Sequence, residues 1–451
     1  MAEPLEPLEA GETLSGIYYI DALLAGEGRR WNAGEPFGTP TEVTFSFMTA
    51  PPADATPEES ATFQAFNEAM REAARGVLDM VAEVASIRLV EVPDGEEVAI
   101  RFGMSAQQGS AGYCYLPGSG KGGEIFLNKN YQPNLDPVPG GYGYTVLVHE
   151  VGHALGLKHP GDYNAGSGGN SVGGPFLPRE QDSFLYTAMS YHSTGTGLYP
   201  VGYQMYDIAA LQYLYGANRS TRAGDDVYGF DIRGQARTIW DGGGHDTLDF
   251  SNQLFAVTVS LEPGAFSDVG AWAGGRTAPK ALAIALDTTI EDAVGSAHAD
   301  AMTGNGIGNA LTGGEGGDTL SGGSGPDRLL GNQADDRLYG NEDHDFLHGG
   351  QGGDVLYGGQ GEDTLRGGAG DDTLAGGAGA DTFVVGGGGG TVLVADFDPG
   401  EGDRIALAAG AASAVTADDA GNAMLLFATG ERATLAGITP DRVAPEWFVV
   451  A

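Results

Sequence analysis

One cysteine, Cys114, in 451 residues excludes an intramolecular disulfide. A chain working outside a reducing cytosol would need another staple. Basic residues are scarce too: 22 Lys and Arg stand against 61 Asp and Glu, a formal charge of −39. Nucleic acid and anionic membrane both reward Lys and Arg, so neither is expected as a partner. No apolar run is long enough to span a bilayer, and no membrane insertion is expected. The opening MAEPLEPLEAGETLSG lacks the basic start and apolar stretch of a secretory signal. The acidity leaves two readings, a solvated surface or a store of bound cations.

Glycine is abundant: 77 residues, more than twice the usual share of about 7%. The excess follows residue 300. Residues 1–16 read as an acidic leader. VTFSFM (43–48) alternates as a strand does. Thr56, Pro57 and Glu59 form a helix start. Phe63, Phe66, Met70, Ala73, Val77, Val81 and Val84 follow at helical spacing and predict one long amphipathic helix. Strands are expected at 87–92, 97–102 and 124–128, and helices near Tyr144 and over 205–215. The first half is mixed α and β. From about Asp241, short apolar strands alternate with Gly- and Asp-rich turns.

Those turns repeat. Asp318, Asp327, Asp336, Asp345, Asp354, Asp363, Asp372 and Asp381 are spaced nine apart, each followed two residues later by Leu or, once, Phe383. Nine residues suit one tight turn and one short strand. Glycines permit the positive φ of the turn. The carboxylate and turn carbonyls are hard oxygen ligands that select Ca²⁺. This is the RTX nonapeptide pattern of a parallel β-roll, with leucines expected in one column. In the units that read GGxGxD in full, the candidate calcium ligands are Gly314, Gly316 and Asp318; Gly323, Gly325 and Asp327; Gly350, Gly352 and Asp354; Gly359, Gly361 and Asp363; Gly368, Gly370 and Asp372; and Gly377, Gly379 and Asp381. The units ending at Asp336 and Asp345 lose most glycines, and residues 295–309 keep the phase without the glycine pattern, so no ion is assigned to either. A disordered linker would have no reason to hold Leu in phase for this long.

HEVGHALGLKHPGDYN (149–164) holds three of the eight histidines. On a helix His149 and His153 share one face. Gly156 can end that helix and bring His159 to the same ion. Three neutral imidazoles leave a fourth zinc position open, as catalytic sites require. The extended HExxHxxGxxH is the metzincin motif, and TAMSYH, with Met189 and Tyr191, supplies a candidate Met-turn.

With these motifs the chain resembles the serralysin family over residues 17–451. Further matching stretches are His159-Pro160 with GDYN, MSY, LYGAN (214–218), IDALLAG…RWN (20–32), WDGGGHDTLDFS (240–251), DTTIEDAVG (287–295) and ADFDPGEGDRI (395–405). The resemblance implies a leader or short propeptide at 1–16. An α+β metzincin-type protease domain follows at 17–218, then an all-β parallel β-roll with a C-terminal secretion module at 219–451. It implies one catalytic Zn²⁺ on His149, His153 and His159, with Tyr191 as a resting fifth ligand and oxyanion stabiliser. Glu150 would be the general base and Met189 an apolar floor. Glu124, Ile125, Phe126, Leu127 and Asn128 would be the edge strand that pairs with substrate. It adds calcium positions at Arg222, Gly224 and Asp226; Asp241, Gly243, Gly244 and Asp246; and Thr289 and Glu291. It implies a monomeric, extracellular endopeptidase of broad specificity, acting on polypeptides and stabilised by several Ca²⁺. A C-terminal signal ending in PEWFVVA would direct it through type I secretion.

Two rivals stay open. A non-catalytic RTX adhesin or surface-layer protein fits the repeats but has no need for Glu150. A zinc hydrolase of non-peptide substrates fits the histidines but not the edge strand. Cys114 reads as packing.

Overall fold

The computed structural model describes residues 15–163, 174–193, 197–230, 236–272, 276–408 and 412–450. Most of the expected leader, Asn164 of the GDYN stretch and Ala451 lie outside the described residues. The chain forms two compact units, one drawing on 1–223, 235–242 and 280–288, the other on 224–234, 243–279 and 289–451. Two stretches beyond residue 219 therefore complete the first unit, where Arg237–Ile239 pairs in parallel with Leu282–Ile284.

The first unit is a five-stranded sheet with helices. The strands are β1 (Thr41–Phe47), β2 (Ile87–Glu91), β3 (Ile100–Ser105), β4 (Gly112–Cys114) and β5 (Glu124–Asn128), and the helices are α1 (Tyr18–Asp21), α2 (Pro57–Thr62), α3 (Glu68–Val84), α4 (Tyr142–Ala154) and α5 (Met205–Tyr215). The sheet order is β2-β1-β3-β5-β4. All neighbours are parallel except β4, which runs antiparallel to β5.

This order corrects the edge-strand expectation. Glu124–Asn128 is paired on both sides, to β3 and to β4, and all five residues are buried. The edge on that side of the sheet is Gly112–Cys114.

The helix start at Thr56 is a capping box: the Thr56 hydroxyl accepts from the Glu59 N–H at 3.1 Å while the Glu59 carboxylate accepts from the Thr56 N–H. The expected single helix is two. Gln64 leaves the helical path to exchange backbone hydrogen bonds with Met104 of β3. Asn67 then caps α3 by accepting from the Met70 N–H at 2.9 Å. The buried face of α3 is Met70, Ala74, Val77, Leu78, Val81 and Val84, so Ala74 replaces the expected Ala73.

The second unit is a parallel roll. Its leucines form two inner columns rather than one. Leu311, Leu329, Leu347, Leu365 and Phe383 stack in one sheet, and Leu320, Leu338, Leu356 and Leu374 in the other. The reason is that nine residues make half a coil, so partners lie 18 apart, as Leu329 and Leu347 do. Each of these side chains is 0% exposed, worth roughly 1.5–3 kcal/mol per residue from burial. Among the described residues no helix is long and apolar enough to cross a membrane.

Candidate functional site

Helix α4 is buried around most of its circumference, Val146, Leu147, Val148 and Val151 included. It delivers His149, Glu150 and His153 into a cleft of about 300 Å³ that His159, Tyr191 and β4 also line. Gly156 ends the helix at φ +99°, and a Cβ there would lie 2.2 Å from the Arg29 carbonyl oxygen. Only glycine fits this turn, which brings His159 back. Gly156→Ala should cost at least about 2 kcal/mol, since left-handed strain adds to a backbone clash. Urea unfolding with wild-type stability would contradict this.

The His159 Nε2 lies 3.1 Å from both the His149 Nε2 and the His153 Nε2. The other ring nitrogens are engaged: His149 Nδ1 meets the Ala188 carbonyl at 2.9 Å and His153 Nδ1 meets the Leu157 carbonyl at 2.8 Å. A carbonyl only accepts, so both Nδ1 atoms carry the proton and both Nε2 atoms present lone pairs. His159 has at most one Nε2 proton to share, so at most one of the two 3.1 Å contacts can be a full hydrogen bond. The set fits a cation. Nitrogens on a tetrahedral zinc at 2.0–2.1 Å would stand roughly 3.3 Å apart. Burial keeps the rings neutral, lowering His149 to about 3 and His153 to about 4, and lowering His159 further with help from its neighbours' charge.

Glu150 is 5% exposed, and its Oε2 has no hydrogen-bond partner among the described residues. Burial pushes its carboxyl up to about 8. Gly112 of β4 lies against it: a Cβ at Gly112 would sit 3.0 Å from the Glu150 Oε1. Met189 is fully buried beneath α4, where a Cβ on Gly152 would come within 2.5 Å of its Sδ. The Tyr191 ring lies 5.4 Å from His149 and 4.7 Å from His159, centroid to centroid. Burial, then the charge of Glu150, raises its phenol.

Sequence reasoning missed several neighbours. The Tyr163 ring lies tilted against Tyr191 at 4.8 Å between centroids and its hydroxyl donates to Asp182 at 2.8 Å. Cys114, distant in sequence, lines the cleft, and burial and Glu150 push its thiol up. Asp207 is completely buried and holds the turn carrying Ala188 and Met189.

The roll has its own ladder. Each repeat Asp accepts through Oδ1 from the backbone N–H of the residue 18 positions earlier, as in Asp318 N–H to Asp336 at 2.7 Å and Asp354 N–H to Asp372 at 3.0 Å. The Oδ2 atoms of Asp318, Asp327, Asp336, Asp345, Asp354, Asp363, Asp372 and Asp381 are buried with no hydrogen-bond partner among the described residues. Such a row of orphaned oxygens in glycine turns is a donor set for hard divalent cations. The two glycine-poor units share it. Asn332, Ala334, Asn341 and Asp343 adopt φ of 75–85° where the other units have glycine.

Residues 295–309 differ. The Asn309 amide donates to the Glu291 carbonyl at 2.8 Å, and Asn305 donates to the Ile290 carbonyl at 2.8 Å. Both side-chain amides thus turn donor hydrogens toward backbone carbonyls. Of the remaining calcium positions, the second unit links Asp226, whose N–H donates to Asp246 at 2.8 Å, and Asp246, whose N–H donates to Glu291 at 2.7 Å. Gly244 approaches the Gly224 carbonyl, and Gly243 and Thr289 lie in the same unit. Arg222 and Asp241 belong to the first unit.

The family model for the RTX calcium-binding nonapeptide repeat (4 copies) matches residues 312–347, 348–383 and 357–392. Metalloprotease AprA of Pseudomonas entomophila is 37% identical over 313 residues, 63% of this chain and 63% of that protein. Serralysin C of Dickeya chrysanthemi is 38% identical over 299 residues, 60% of each chain. Serralysin of Proteus mirabilis is 36% identical over 326 residues, 62% of this chain and 63% of that one. The chain thus spans less than two thirds of the length of these relatives.

Proposed function

From its kinship with the serralysins, we propose that this chain is a secreted zinc endopeptidase of broad specificity whose RTX roll is held by calcium. The observation that carries the reading is the convergence of three Nε2 atoms beside a buried glutamate. His149, His153 and His159 would hold the zinc, which when bound polarises a carbonyl and acidifies water. The repeats support export by a type I apparatus. The protease domain would be 17–218 with the roll after it, apart from 235–242 and 280–288, which belong to the first unit.

Glu150 takes the proton of the attacking water. Its burial, which favours the protonated form, lets it keep that proton and deliver it to the leaving amine. Tyr191 keeps its phenol proton and can donate it to the oxyanion. Met189 packs under the site and touches no substrate. The edge of β4 not paired with β5 runs along the cleft. An extended peptide can add there as a further strand, through main-chain bonds that ignore side chains.

Casein hydrolysis should vanish when a chelator strips the protein in excess calcium and return with about one equivalent of zinc. Full zinc occupancy without cleavage, in the form lacking residues 1–16, would overturn the reading.

A further inference from the structure

Asp207 lies in the first turn of α5, where its Oδ2 accepts from the Gln204 N–H at 2.9 Å. That bond alone is a helix cap. The same carboxylate reaches further, to residues 19 and 20 positions earlier. Oδ2 accepts from the Ala188 N–H at 2.7 Å and Oδ1 from the Thr187 hydroxyl at 2.5 Å. The Thr187 oxygen in turn accepts from the Met189 N–H at 3.0 Å. The peptide unit of that N–H carries the Ala188 carbonyl, which receives the His149 Nδ1 proton at 2.9 Å.

The bonds therefore form one relay. The carboxylate orients the Thr187 hydroxyl, the hydroxyl orients the 188–189 peptide, and that peptide fixes the tautomer and ring angle of His149. We propose that Asp207 is a positioning residue for His149, acting through Thr187 and the Ala188 carbonyl and raising the metal affinity of the histidine cluster. The inference rests on the three histidines being a zinc site, as proposed above, and not on what the zinc then does. Outer partners of metal-bound histidines typically change metal affinity by about 10- to 100-fold.

The test uses the full chain in calcium, stripped of zinc and titrated with Zn²⁺ against a chelator and with Co²⁺ by visible absorption. Thr187→Val cuts the relay and leaves the α5 cap intact. It should weaken zinc binding by about 10- to 100-fold and shift the Co²⁺ bands. Thr187→Ser should restore both. Asp207→Asn should move in the same direction as Thr187→Val. If Asp207→Asn does not fold, Thr187→Val still decides. Wild-type affinity and an unchanged Co²⁺ spectrum in Thr187→Val would overturn the inference, leaving Asp207 as a cap. A wild type that binds zinc tightly but cleaves nothing would defeat the proteolytic reading alone, and a weakened Thr187→Val would still support this one.

Discussion

Glu150→Gln should lower kcat/KM on an unfolded protein substrate by at least about 10³-fold, within the 10²–10⁴ that a positioned acid–base contributes. Zinc content should not change, because the three histidines and the Ala188 and Leu157 carbonyls that hold two of them are untouched. The replacement is nearly isosteric, and the Glu150 Oε2 makes no hydrogen bond among the described residues, so no contact is broken. Stability should hold or rise. The carboxyl is pushed up to about 8 by burial, so in the metal-free chain its ionised form weakens the fold as pH rises through that value. A neutral amide removes the cost. A buried carboxylate that burdens the fold is the pattern of a site kept for chemistry. Peptide kinetics and metal analysis check this together. Retention of more than about a tenth of the activity would remove Glu150 from the base role. Equal loss of zinc would mean that it helps hold the metal.

The metal cluster was legible because its spacing is local. Residues 149, 153 and 159 are set by one helix and one turn, and Gly156 marks that turn. The repeat was legible because a nine-residue period needs no tertiary knowledge. What escaped depends on placement. β4 is three residues long and only half-buried, too short to show a period. The family resemblance makes Glu124–Asn128 the edge, yet a continuous buried run with no alternation is the mark of an interior strand. The break between α2 and α3 depends on Gln64 pairing with Met104, a contact remote in sequence. Asp207 sits in DIAALQYLYG, where an acidic residue at a helix start reads as a cap. Its reach to Thr187 and Ala188 appears only when α5 meets the turn. Ala334 at φ 75° is likewise opaque, because alanine gives no hint of a left-handed turn and the neighbouring coils impose it.

Chelating calcium at pH 8 should collapse the roll, with most of its β-sheet circular dichroism lost and then recovered on adding Ca²⁺. Eight buried carboxylate oxygens have no hydrogen-bond partner among the described residues, and each ionised group left so costs several kcal/mol. Their sum exceeds the roughly 5–15 kcal/mol by which a domain is stable. Burial is the first cause in every case and raises Asp318 and Asp336 to about 7 and Asp372 and Asp381 to about 6. In the unfolded chain these groups titrate near about 3.9. The folded, metal-free roll therefore binds more protons than the unfolded chain between those limits. Its stability is greatest in acid and is lost as pH rises through about 6–7. Protons and calcium compete for the same oxygens, so metal-free protein should show more β structure at pH 5 than at pH 8. Apparent calcium affinity should weaken about tenfold per pH unit below about 6 for each proton displaced. The calcium-loaded roll should show little such dependence. Equal spectra with and without calcium at pH 8, or a metal-free roll better folded at pH 8 than at pH 5, would detach the acidic charge from ion binding and return it to solvated surface.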